Sequence, residues 1–109
     1  MGSACRVLGV DASLRSTGVG VVEATGSRLV AIEHGLIPNA AGIPLSACLK
    51  ALGQGIAGII ARVNPTAMAI EGGFFHKNVK TATTLGEARG AIIAAAAALG
   101  IPIYEYAPR

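Results

Sequence analysis

Two of the six acidic residues in this 109-residue chain sit where carboxylates can do chemistry. Asp11 closes the run Cys5-Arg6-Val7-Leu8-Gly9-Val10, and Glu71 closes Thr66-Ala67-Met68-Ala69-Ile70. Each is followed by small residues, Ala12-Ser13 and Gly72-Gly73. In open α/β sheets, sites form beyond the carboxyl ends of the strands. Two carboxylates on adjacent parallel strands meet there and repel one another unless a cation lies between them. Mg2+ favours such a hard-oxygen, part-hydrated arrangement. Two such ions about 3.5–4 Å apart activate a water and stabilise a leaving oxygen in phosphodiester cleavage. On spacing alone, Asp11 as a turn former and Glu71 as a cap or surface residue stay open. Glu23, Glu33, Glu87 and Glu105 read as members of solvated faces.

A second cluster follows Glu71. Gly72-Gly73-Phe74-Phe75-His76-Lys77-Asn78 places half of the chain's four aromatics in a glycine-rich loop, with Lys80 just beyond. Aromatic rings stack on unpaired bases for roughly 1–3 kcal/mol each, and Lys and Asn position phosphates. The alternative is that the Phe side chains plug the core and His76 is structural. Further on, Ala82, Gly86, Gly90, Ala94 and Ala98 repeat every fourth residue. Two interior glycines cost roughly 1 kcal/mol each relative to Ala, so close approach of another backbone is expected to offset them. That backbone is either the chain's own sheet or a partner helix. Arg89 on the same helix can reach a carboxylate or a phosphate.

The elements that must position these residues read in the order β-β-β-α-β-α-β. Cys5–Asp11, Thr17–Ala24 and Leu29–Ile37 are expected strands, with a hairpin turn at Thr25-Gly26-Ser27. Val19 and Val21 fall on one face of the second strand and Val22 on the other. A helix begins at Pro44 and carries a stripe of Leu45, Cys48, Leu49, Leu52, Ile56, Ile59, Ile60 and Val63, ending at Asn64-Pro65. The strand Thr66–Glu71, a helix from Val79 to Leu99 stopped by Gly100, and the strand Ile101–Tyr106 complete the order. This pattern predicts a mixed sheet with packed helices in one domain over 1–109.

Composition sets the outer bounds. Hydrophobic residues make up 52% and charged residues 14%, with mean hydropathy +0.59; a charge-rich disordered tail is excluded. The longest purely apolar stretch, Ala91 to Leu99, is well short of the roughly 20 residues a bilayer span needs. No secretion or myristoylation signal is present. A net charge of +3 permits an acidic partner without demanding one. Cys5 and Cys48 read as buried free thiols, and a cytoplasmic location is expected.

Together these motifs resemble the RuvC family of bacterial Holliday junction resolvases. Leu8-Gly9-Val10-Asp11 followed by Ser16-Thr17-Gly18-Val19-Gly20-Val21-Val22 is similar to the family's opening. The more specific block runs from Ala69-Ile70-Glu71-Gly72-Gly73-Phe74-Phe75-His76-Lys77-Asn78-Val79 into Leu85-Gly86-Glu87-Ala88-Arg89-Gly90-Ala91. Tyr104-Glu105-Tyr106-Ala107-Pro108 matches the fifth strand and its exit. The resemblance implies an α/β, ribonuclease-H-like fold with a mixed five-stranded sheet. It implies a Mg2+-dependent endonuclease making paired symmetric cuts in four-way DNA junctions during recombination and repair. Asp11 and Glu71 match two of four metal-binding carboxylates, with two Mg2+ ions expected and Mn2+ an alternative. Phe74 matches the aromatic inserted at the junction centre. Arg15, Gly72, Gly73, Phe75, His76, Lys77, Asn78, Lys80 and Arg89 fall on the implied DNA-contacting surface. Ala82, Gly86, Gly90 and Ala94 fall at the implied homodimer contact. RuvA and RuvB, the branch-migration proteins, are the implied protein partners.

The chain departs from the family pattern in three ways. Ala12-Ser13-Leu14 stands where the family has Pro-Gly-Ser. The family continues past its fifth strand into a basic segment and a last helix with two more acidic ligands, so the domain is expected to be incomplete at its C-terminal side. That missing segment also accounts for the modest charge. The 109 residues alone are therefore expected to cleave weakly or not at all. An alternative is a non-catalytic junction-binding fragment or degenerate relative. A nucleotide-binding domain of the sugar-kinase and actin type shares the first hairpin but lacks the Gly72-to-Asn78 block.

Overall fold

The computed structural model describes residues 5–72 and 77–107. Strands β1 (Cys5–Asp11), β2 (Ser16–Thr25) and β3 (Arg28–Pro38) form an antiparallel meander. Helix α1 (Leu45–Val63) crosses back to β4 (Ala67–Glu71), and α2 (Val79–Ala98) leads to β5 (Ile103–Tyr106). The sheet order is β3-β2-β1-β4-β5, with the β1–β4 and β4–β5 pairs parallel. This is the expected mixed five-stranded sheet and element order.

Local chemistry sets the element ends. Gly26 takes φ 60° in the β2–β3 turn, a left-handed conformation that glycine adopts without a Cβ penalty. Pro44 flanks α1 rather than opening it, a shift of one residue from the sequence expectation. Asn64 ends α1 in the left-handed region, φ 51°, and its N–H donates to the Ile60 carbonyl. Asn78 starts α2 by accepting a hydrogen bond from the Thr81 N–H at 3.0 Å through Oδ1, satisfying one of the helix's orphan donors.

One face of the sheet is buried. Leu8, Val10, Val21, Met68 and Ile70 pack against Leu52, Ile56 and Ile60 of α1 and Ala88, Ile92 and Ala96 of α2. Val21 is 1% exposed and Val22 39%, so the two valines point to opposite faces as the period-2 pattern requires. The α1 stripe is buried at Cys48, Leu52, Ile56, Ile60 and Val63, whereas Leu45 at its N-terminal end stays exposed. Across the other face, Val7 stands opposite Val22 and Ala67, and Ala69 opposite Tyr104. No helix among the described residues covers that face, and Tyr104 and Tyr106 are exposed on it.

The fold corrects one expectation and decides one open alternative. Cys48 is buried, but Cys5 is exposed at the start of β1, with its Sγ 3.1 Å from Thr66 Oγ1. The small-residue stripe on α2 does not face the sheet. Gly86, Gly90, Ala94 and Ala98 are exposed, and only Ala82 is half-buried. A Cβ added at Gly86 or Gly90 meets nothing within 4 Å. The sheet instead receives Ala88, Ile92 and Ala96. No helix among the described residues is long and apolar enough to cross a membrane.

Candidate metal centre and its surroundings

The parallel β1–β4 ladder ends with Val10 opposite Ile70. Both side chains are buried on the helix-covered face, at 2% and 0% exposure. The next residue on each strand is Asp11 on one and Glu71 on the other. Parallel register therefore places the two carboxylates side by side at the carboxyl edge. They line one shallow depression of about 80 Å3, with Ala12, Leu85 and Arg89 completing the wall. Asp11 is exposed and Glu71 half-buried. On the antiparallel side, Gly18 pairs with Asp11, so no large side chain crowds that carboxylate.

Arg89 fixes the Glu71 side of the depression. Its Nε donates to the Glu71 carbonyl oxygen at 3.0 Å, and its Nη2 pairs with Glu105 Oε1. The Arg89 side chain is only 16% exposed. Its charge is paired with Glu105. Gly72 makes the pairing possible: a Cβ there would lie 3.2 Å from Glu105 Oε1 and 3.3 Å from Arg89 Nη2. The Gly72 N–H donates to the Tyr106 carbonyl at 2.7 Å, which ties the exit of β4 to β5.

The β1–β2 turn that follows Asp11 is pinned from beneath. Thr17 is fully buried; its Oγ1 accepts from the Ser13 N–H at 3.1 Å and donates to the Ser13 carbonyl. Asn39, 8% exposed, donates through Nδ2 to the carbonyls of Leu14 and Cys48, at 2.9 and 3.2 Å. Its N–H donates to the Arg15 carbonyl at 2.9 Å. Arg15 itself reaches over to the Ala40 carbonyl through Nη1. Buried polar groups this well satisfied hold one conformation. Ala12-Ser13-Leu14 thus forms a fixed turn without the family's Pro-Gly.

The structure brings together Asp11 and Glu71, as the strand-end spacing suggested. Lys77, Asn78 and Lys80 lie at the start of α2, the first two just before it and Lys80 in its first turn, all exposed. Gly73, Phe74, Phe75 and His76 lie outside the described residues. Arg89 is directed at Glu71 and Glu105, and Gly72 is buried beneath that pair. Sequence reasoning passed over Thr17 and Asn39. Asn39 follows Pro38 and reads as a strand breaker; nothing in its local pattern announces a buried carboxamide with two backbone partners.

Two hard carboxylates open to water suit a divalent cation such as Mg2+, which is bound by one or two carboxylates while keeping several waters. Among the described residues, no group of three His, Cys, Asp or Glu side chains is placed to hold a metal. The donor set fits one such ion incompletely, with water or phosphate oxygens filling the remaining positions.

Comparison with known proteins agrees with this architecture. The family model for crossover junction endodeoxyribonuclease RuvC matches residues 7–109. The RuvC of Brevibacillus brevis is 42% identical over 103 residues, covering 94% of this chain and 62% of that protein. The RuvC of Myxococcus xanthus is 44% identical over 103 residues, covering 94% and 54% respectively. The structure of Thermus thermophilus RuvC in complex with Holliday junction substrate matches with TM-score 0.88 at 26% identity, over 94% of this chain and 66% of that one. The chain thus spans just over half to just under two thirds of the length of these curated relatives. With a ribonuclease-H-like sheet, strand-end carboxylates in one depression and a family match over nearly its whole length, the chain belongs to the RuvC family.

Proposed function

We propose that this chain forms the strand-positioning core of a Holliday junction resolvase, a Mg2+-dependent endonuclease that makes paired cuts in four-way DNA junctions. The observation that carries the reading is the Val10–Ile70 register, which delivers Asp11 and Glu71 to one depression. Both carboxylates would hold Mg2+, which when bound supplies an activated water and charge stabilisation at the scissile phosphate. Asp11 and Glu71 orient the ion; Arg89 holds the Glu71 backbone; Lys77 and Lys80 supply positive charge for the DNA backbone. In the same reading Phe74, which lies outside the described residues, is the aromatic that enters the junction centre. The cytoplasm, where chromosomal junctions form, is the matching compartment.

A homodimer belongs to the same proposal. Gly86, Gly90 and Ala94 form an exposed small-residue face on α2 with open space above its glycines, which lets a second helix approach closely. Two copies related by a twofold axis match two symmetric cuts. Partnership with RuvA and RuvB is supported by family membership.

Two carboxylates rarely hold two Mg2+ ions, so the 109-residue chain is expected to bind junctions better than it cuts them. A junction-cleavage assay in Mg2+, with Asp11→Asn as control, tests this. Weak or absent cutting, alongside salt-sensitive junction binding, is the expected result. Rapid Asp11-dependent cutting by this chain contradicts it.

A further inference from the structure

Beside the carboxylate depression lies a larger groove of about 660 Å3, within the roughly 300–1,000 Å3 of clefts that hold small molecules. It is lined by Leu14, Leu45 and Leu85 and by Arg15, Lys80 and Thr84, with Arg15 and Lys80 exposed. It runs between the β1–β2 turn and the first turns of α2. Ala12 and Leu85 line both cavities, so the groove opens onto the carboxylate pair. Of its lining, the functional reading above uses only Lys80.

The chemistry of the walls selects an occupant. Leucines alongside cations and hydroxyls match a flat base joined to an anionic phosphate. Leu45 is 39% exposed although it belongs to the apolar stripe of α1. Arg15 hydrogen-bonds through Nη1 to the Ala40 carbonyl at 2.9 Å; a guanidinium has five N–H donors, so donors remain for a phosphate. The wall carrying Leu14 and Arg15 is the turn pinned by Thr17 and Asn39, so that wall is set before anything enters the groove. A pre-formed wall lowers the ordering cost of binding.

We propose that this groove holds one unpaired nucleotide of the DNA strand, its base on Leu14, Leu45 and Leu85 and its phosphate between Arg15 and Lys80. The inference rests on the junction-binding reading above and adds a base-sized subsite to it. Bases beside a strand crossover are the least costly to unpair, and removing one from the stack costs a few kcal/mol, which burial against the leucines helps to offset.

The test uses the full chain and a set of four-way junctions, each lacking a single base at one position near the crossover. Binding is followed by fluorescence anisotropy for the wild type and for Thr84→Phe, which fills the groove. At one position, base removal is expected to weaken wild-type binding about fivefold or more and to leave Thr84→Phe unaffected. Equal losses for both proteins at every position, or no loss at any, overturn the groove while leaving junction binding intact. No junction binding at all overturns the functional reading and the groove with it. Should Thr84→Phe fail to fold, the methyl NMR signals of Leu14, Leu45 and Leu85 in the wild type decide: they shift on junction binding if the base enters, and stay in place if it does not.

Discussion

Asp11 and Glu71 occupy equivalent positions on adjacent parallel strands, one step beyond the Val10–Ile70 pair. Neither carboxylate has a cation of its own among the ion pairs found in the described residues. Their proximity costs repulsion that a divalent ion removes. Mg2+ is therefore expected to raise the thermal unfolding temperature. At tenfold excess over its Kd the gain is about 1.4 kcal/mol. Asp11→Asn and Glu71→Gln each should lose that gain while unfolding at or slightly above the wild-type temperature without metal. A Mg2+ response as large in either variant as in the wild type contradicts the shared site.

Arg89→Lys tests the support beneath Glu71. Lysine keeps the charge but cannot bond the Glu71 carbonyl and Glu105 through one planar fork. Glu105 is 56% exposed, so solvent weakens that half of the arrangement. A destabilisation of about 1 kcal/mol is expected, read from urea denaturation, together with weaker Mg2+ binding. An unchanged Mg2+ affinity would show that Glu71 does not depend on Arg89.

Asn39→Ala should cost about 1–3 kcal/mol, because it strips the Leu14 and Cys48 carbonyls of a buried partner. Asn39→Asp should cost more at neutral pH, since a carboxylate would face those same two oxygens. Denaturation of the wild type and both variants at pH 7 ranks them; an Asn39→Asp variant as stable as the wild type would refute the donor role.

Glu33 carries the one pH prediction. Its carboxyl is held below its ordinary range, first by hydrogen bonds from the Arg62 guanidinium; slight desolvation opposes this and charge attraction adds to it. The two bonds measure 2.7 and 2.8 Å. A lowered folded-state pKa stabilises above the unfolded value and is lost as pH falls through the folded one. The melting-temperature gap between wild type and Glu33→Gln should thus be small, present at pH 7, begin to shrink as pH falls past about 4.3, and close only below the lowered folded-state pKa. A gap that widens in acid has the wrong sign.

Gly90 separates folding from association. It is exposed, with open space around it, so Gly90→Ala should stabilise the isolated helix by up to about 1 kcal/mol. Gly90→Arg should instead block close helix approach. Sedimentation is expected to show association in the wild type and monomers in Gly90→Arg, whose secondary structure is unchanged. Identical sedimentation of both at concentrations where the wild type associates places the interface elsewhere.

The element order and the mixed character of the sheet were legible because hydrophobic period, glycine turns and Pro44 agree locally. Val21 and Val22 fell on the expected faces for the same reason. The carboxylate pair was legible because both strands end on an acid followed by small residues. The long-range polar contacts were not. Asn39 beneath Leu14, and Arg89 against Glu105, join residues far apart in sequence, and no local pattern encodes such pairings. The exposure of Cys5 was hidden because the strand pattern around it says nothing about its place at a strand end, and that of the α2 glycines because an alanine-rich helix has no clear polar side.

The most direct test of the shared carboxylate site is Mn2+ broadening of backbone amide signals. Substoichiometric Mn2+ should broaden Asp11, Ala12, Glu71 and Gly72 together in the wild type. Asp11→Asn and Glu71→Gln should each relieve the broadening at both strand ends. Broadening confined to one strand end, or surviving in full at Glu71 when Asp11 is replaced, would contradict a single site built from both carboxylates.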